Sequence, residues 1–315
     1  MSQNGAIDAK TANDMRFAMR LSLGFGVLML VGKVGAYWIT GSAAILSDAS
    51  ESVVHLVAVI FAWFSLWLSL RPANQRYLYG FERINFFSAG FEGAMIVLAA
   101  LFIIVVSVRK WMTGVELANI GAGTLFTVVA SVANAGLGWY LVRAGKRAQS
   151  LILEADGKHV LTDSWTGFGV VAGLGLVLWT GWKQWDVICA LAVALNILWS
   201  GGNLIWRSAT GLLDTADPQT GSLLRKKLDT LCGELGVQYH GVRFRSTGHR
   251  LLVEVHLLFA GSETVAEAHR LATLLEERLA ETLGQPAEVI THLEAKDDHD
   301  SVHRAGHYMG KPGER

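Results

Sequence analysis

The 315-residue chain is 51% hydrophobic and only 17% charged, with a mean hydropathy of +0.35. Soluble proteins carry about 25% charged residues, so this composition excludes a wholly soluble protein. A formal net charge of zero excludes the long-range field that draws a protein to nucleic acid.

The apolar excess is uneven, and it divides the chain. Residues 1–14 read as a polar cytoplasmic tail, 15–211 as a membrane domain, 212–295 as a water-soluble domain and 296–315 as a flexible His-containing tail. A spanning helix needs about 20 mostly apolar residues. Six stretches qualify, at about 17–39, 43–69, 86–108, 118–142, 151–179 and 186–209. The first is too long, and its flank too polar, to read as a cleaved signal peptide. Basic residues gather on one side of this arrangement, among them Arg16, Arg20, Arg71, Arg83, Arg143 and Arg207. The positive-inside rule then places both termini in the cytoplasm, a parity that six spans satisfy and five do not. The two cysteines, Cys189 and Cys232, form neither a disulfide framework nor a CxxC metal motif.

Ionisable groups inside spans are costly and mark function. The second stretch carries Glu51 and His55, and the fifth carries His159 and Asp163. Residues four apart share one helix face. Two carboxylates and two imidazoles can together ligate one divalent metal. Zinc accepts such a set, as do cobalt, nickel and ferrous iron, whereas calcium and magnesium prefer all-oxygen shells. The bland alternative is a buried ion-pair network. The fifth stretch opens on Glu154, Asp156 and Lys158, which must be buried against other helices rather than face lipid. Glu92 and Asn134 read as polar groups satisfied within the bundle.

Beyond about 218 the periodicity changes to helix, strand, strand, helix, strand, an αββαβ order. SLLRKKLDTLCGEL is the first helix. YHGVRFRS and HRLLVEVHLLF are strands turning at Gly248. SETVAEAHRLATLLEERLAETLG is an amphipathic helix capped by Ser262 with Val265 opening its apolar positions, and PAEVITHLEA is the last strand. Strand positions hold His240, His256 and His292, with Glu294 on the face of His292. The fold class is therefore a six-helix α-helical membrane protein with a small cytoplasmic α+β domain.

Four segments, GSAAILSDASESVVHLVA, RPANQRYLYGFERINFFSAG, EADGKHVLTDSW and LLDTADP, together resemble the cation diffusion facilitators over nearly all of residues 15–295. The resemblance implies a homodimer that exchanges divalent metal for protons. It implies a transport site at Glu51, His55, His159 and Asp163, and a cytoplasmic metal cluster at His240, His256, His269, His292 and Glu294. It also implies an interlock between Arg83 and Asp214 that ties membrane and cytoplasmic parts. Some relatives bind metal in the loop after the second span. The matching positions here, Asn74, Tyr77 and Phe81, offer no ligand set.

The function expected from the sequence is a proton-coupled exporter of divalent metal in the bacterial inner membrane, and not an enzyme. Zinc ranks first and ferrous iron second, followed by cobalt, nickel, cadmium and manganese. The rival is a membrane-bound metal sensor without transport.

Overall fold

A computed structural model describes residues 9–40, 43–113, 122–182, 184–248 and 250–297. For 36–37, 39–40, 43–51, 54, 122–127, 170 and 174 it describes the backbone alone. The expected tail lies outside the described residues from 298 onward. Contacts divide the chain into a helical unit ending at Leu213 and a second unit beginning at Asp214.

Six long helices make up the described part of the first unit: α1 Ala9–Thr40, α2 Ala43–Ser69, α3 Ile84–Thr113, α4 Ala122–Arg147, α5 Leu151–Thr180 and α6 Gln184–Leu212. Helix α1 starts within the stretch read as a tail, and α4 runs on to Arg147, past the end of its apolar run at about 142, because polar ends continue a helix where apolar counting stops. Among the described residues, four segments are long and apolar enough to cross a membrane: Ala9–Gly35, Ile84–Thr113, Leu151–Thr180 and Gln184–Leu212. The apolar part described for α2 is shorter, His55–Ser69. The molecule is thus a mostly helical multi-pass membrane protein with a C-terminal β-containing unit.

Helix α5 is the centre of the helical unit. Its Ile152, Leu153 and Val160 pack with Met15 and Met19 of α1, Leu66 of α2 and Leu141 of α4. Its Leu151 and Ala155 pack with Phe86 and Ile96 of α3 and with Ile197 and Leu204 of α6. Residues 151–157 are buried without a break, which explains how a polar helix start is kept from lipid. Ser150 caps α5 by accepting from the Leu153 N–H, and Gly181 closes it with φ 75°.

Small residues bring α4 and α5 together, as they do in many membrane bundles. A Cβ on Gly157 would stand 2.6 Å from the Val142 backbone nitrogen and 2.9 Å from the Gly138 carbonyl oxygen. Neither backbone atom can retreat without parting the helices. Gly157→Val should therefore destabilise the protein by about 1–3 kcal/mol or more. Gly175→Ala, where a Cβ meets nothing within 4 Å, should leave the detergent melting temperature within about a degree of the parent.

The second unit runs α7 Pro218–Leu235, β1 Gln238–Ser246, β2 Leu251–Phe259, α8 Val265–Thr282 and β3 Ala287–Ala295. Strand order is β1-β2-β3, antiparallel then parallel. A parallel pair needs a crossover, and α8 supplies it. Leu224, Leu228 and Leu231 of α7, alternate residues of β2 (Val253, Val255, Leu257) and Ala272, Leu275 and Leu279 of α8 form one core. Cys232 belongs to that core as a small packing residue, and its burial pushes the thiol pKa up to about 11. The cap of α8 is Thr264, not Ser262, since the Thr264 hydroxyl accepts from the Glu267 N–H. Val265 is 82% exposed, so the apolar stripe of α8 opens at Ala268 rather than at Val265.

Candidate metal centres

Helices α2 and α5 bring the first group together. His159 and Asp163 stand one turn apart on α5, and His55 faces them from α2. One ligand atom from each of these three residues lies within 4.8 Å of the others. The His55 and His159 ring centroids are 4.5 Å apart, with the planes tilted by 40°. The Nδ1 atoms of both rings are buried and have no hydrogen-bond partner. A buried polar atom left without a partner costs about 1–3 kcal/mol. Buried ring nitrogens without a protein partner are the kind of donor that a Lewis acid engages. Glu51 lies one turn before His55 on α2, but its side chain is outside the described residues, as is that of Asp48.

The polar lining continues toward the start of α5. Asp156 is fully buried one turn before His159, and Glu92 on α3 is 1% exposed. All four of their carboxyl oxygens are without a hydrogen-bond partner, as are both side-chain polar atoms of buried Asn85. Helix α3 packs against α5 here, which sets Glu92 near Asp156. The sequence reads Glu92 as a polar group satisfied within the bundle and Asp156 only as part of the buried polar start of the fifth stretch. The signal for Asp156 was available, because residues three before His159 and seven before Asp163 share their face. Glu154, by contrast, is fully engaged. Arg207 of α6 grips it through two nitrogens at 2.5 and 3.0 Å, and Lys158 adds a contact at 3.1 Å. That bridge ties α5 to α6.

The second group is built by strand register. His240 pairs across from His256, and His256 pairs across from His292, so three imidazoles form one row over the sheet. A bulge makes this possible. The register shifts between His240 and Arg243, where Gly241 adopts φ 60°. One extra residue in β1 reverses its alternation. Val242 and Phe244 then reach the core, while His240 joins His256 on the opposite face. Glu294 lies between the rings. Its carboxyl oxygens stand 2.7 Å from His240 Nε2, 2.6 Å from His256 Nδ1 and 3.6 Å from His292 Nε2.

Burial opposes the charge on Glu294, but hydrogen bonds from His240 and His256 override it and hold its pKa down to about 2. Burial outweighs the Glu294 contact at His256 and lowers that imidazole's pKa. At neutral pH His256 is therefore a neutral donor beside an ionised carboxylate. Metal affinity at this site should fall by about tenfold or more between pH 7.5 and 5.5, as imidazole protons compete with the ion. Glu294 stays ionised across that window and contributes nothing to the slope. Titration calorimetry at several pH values would measure it, and a pH-independent affinity would show that the imidazoles are not ligands.

Comparison with known proteins identifies the family. The cation efflux transmembrane domain matches residues 19–213, and the cation efflux protein cytoplasmic domain matches residues 226–296. The chain belongs to the cation diffusion facilitator family. It is a cation-efflux transporter rather than an enzyme. This facilitator is 36% identical to the uncharacterized transporter sll1263 of Synechocystis sp. over 282 residues, covering 88% of this chain and 89% of that one. It is 26% identical to the cation-efflux pump FieF of Escherichia coli over 253 residues, covering 80% of this chain and 83% of that protein.

Other expected positions fall as follows in this facilitator. His269 is exposed on α8 and is not part of the His240–His256–Glu294 group. Asn74 accepts from the Arg76 and Tyr77 backbone N–H groups at 2.9 and 3.0 Å, which gives it a turn-making role. The Tyr77 and Phe81 rings pack together with centroids 4.6 Å apart and planes tilted by 44°. Asp214, at φ 55°, takes a 3.4 Å contact from Arg245 of its own unit.

Proposed function

We propose that this facilitator exports divalent metal in exchange for protons, and that Glu51, His55, His159 and Asp163 hold the ion in transit. The observation that carries the proposal is the meeting of His55, His159 and Asp163 within 4.8 Å inside the helical unit. A mixed nitrogen and oxygen set ranks zinc first and ferrous iron second, with cobalt, nickel, cadmium and manganese after them. The same donors bind either a proton or a metal, so loading from one side and protonation from the other drive exchange. Glu92 and Asp156 extend the polar lining that such a path needs.

The transporter works as a six-span homodimer of the bacterial inner membrane with both termini cytoplasmic. Helices α2 and α4 have 27 and 26 residues, about 40 Å at 1.5 Å per residue and enough to cross a hydrocarbon core of about 30 Å. Exposed Ile290 on an edge strand is consistent with burial against a second copy. His240, His256, His292 and Glu294 form the cytoplasmic metal cluster, with His269 set apart on α8, and the cluster senses metal load by drawing the two cytoplasmic units together.

The test is zinc flux into proteoliposomes with a pH reporter inside. An imposed zinc gradient should move protons the other way. Zinc flux without proton movement would reject exchange, and metal-driven compaction without any flux would favour the sensor.

A further inference from the structure

Away from both metal centres, a cleft of about 290 Å³ opens between α1 and α2, lined by Arg16, Arg20, Trp63, Leu66 and Trp67. Two arginines one turn apart on α1 thus face two tryptophans one turn apart on α2. Neither Arg16 nor Arg20 has an ion pair or a side-chain hydrogen bond among the described residues. Asp14 lies two positions before Arg16, which turns it to another face of α1. The Arg71 guanidinium lies 3.7 Å from the centroid of the Trp67 ring, adding a third positive charge at the same end of α2. Phe17 is 61% and Leu21 43% exposed beside the arginines, so the surroundings of the cleft are apolar.

Basic side chains and tryptophan meeting at the end of a spanning helix pair mark the level of lipid headgroups. A guanidinium fork matches phosphate oxygens in charge and in plane. Indole rings offer an amphipathic wall for a glycerol backbone and its first methylenes. We propose that this cleft holds an anionic glycerophospholipid, its phosphate between Arg16 and Arg20 and its acyl chains along Trp63 and Leu66. Charge complementarity selects this occupant. Three cations without a carboxylate between them disfavour a zwitterionic headgroup, and the apolar wall is of no use to a free anion. Such a lipid staples α1 to α2, the helix that carries Glu51 and His55.

The test uses the full-length protein in bilayers of equal phosphatidylglycerol and phosphatidylcholine, extracted gently and weighed by native mass spectrometry. The parent should retain phosphatidylglycerol over phosphatidylcholine by about tenfold. The paired change Arg16→Gln and Arg20→Gln should abolish that preference. Arg16→Lys with Arg20→Lys should keep most of it, which guards against a variant that merely misfolds. Arg143→Gln with Arg147→Gln, at the end of α4, should leave it unchanged. Four results would overturn the proposal: no headgroup preference in the parent, an unaltered preference in the Gln pair, equal loss in the α4 pair, or displacement of the lipid by 10 mM inorganic phosphate, about the strength of a free-anion site.

Discussion

Asp163→Asn should reduce zinc flux in proteoliposomes by at least about 100-fold, while metal binding at the cytoplasmic cluster is untouched. The change keeps the shape of the side chain and removes its charge. With Asp163 ionised, the ion meets an oxygen donor and two imidazoles within one 4.8 Å group. With an amide there, the charge on a dehydrated dication is balanced by one acid fewer in a medium that screens poorly. Losing one charge-assisted contact of this kind costs about 3 kcal/mol or more, a factor of about 100. His159→Ala should act in the same direction, because its Nδ1 is buried with no protein partner to release. Flux in Asp163→Asn within about twofold of the parent, with normal protein levels, would remove Asp163 from the site.

The second large effect concerns the cytoplasmic cluster. Glu294→Gln should weaken metal binding there by about 100-fold and leave the Asp163 site able to carry zinc. Glu294 is the hub of the group, touching His240 and His256 at 2.7 and 2.6 Å. An amide cannot balance the charge of the ion, and its NH₂ presents a donor to one ring nitrogen where the carboxylate presented an acceptor. The pKa of Glu294 is held down to about 2 in the fold, below the usual carboxylate value. Its ionised form therefore adds stability above about pH 4.3, the unfolded value. That contribution is lost as pH falls from there through 2. The Gln variant should lack this acid-dependent part of the melting curve. Equal metal affinity in parent and variant, measured by calorimetry, would show that the carboxylate serves packing alone.

Much of this architecture could be read from the chain. Six apolar stretches marked six long helices, and the spacings 51–55 and 159–163 marked helix faces, because helical period and membrane thickness are general constraints. The cytoplasmic order of helices and strands followed from period alone. Other features depend on tertiary detail. The bulge at Gly241 decides which face His240 takes, and no alternation count across YHGVRFRS reveals it. The cap at Thr264 was read two residues early, because serine and threonine both stand before the helix and only geometry selects between them. Glu92 reads in the sequence as a polar group satisfied within the bundle, since its buried neighbour Asp156 is distant in sequence and is joined to it only by the contact of α3 with α5. The close approach of α4 to α5 at Gly157 was hidden among the chain's 34 glycines, since composition does not say which of them meets a neighbouring backbone.

Zinc bound inside the helical unit is the central claim, and X-ray absorption at the zinc edge tests it most directly. The protein would carry His240→Ala, His256→Ala and Glu294→Gln, so that the cytoplasmic cluster cannot contribute, and would be loaded with one zinc per chain. A first shell of nitrogen and oxygen at about 2.0–2.2 Å, with the multiple scattering of two imidazoles, is the predicted result. A shell of oxygen alone, or a protein that binds no zinc once the cytoplasmic cluster is gone, would contradict it.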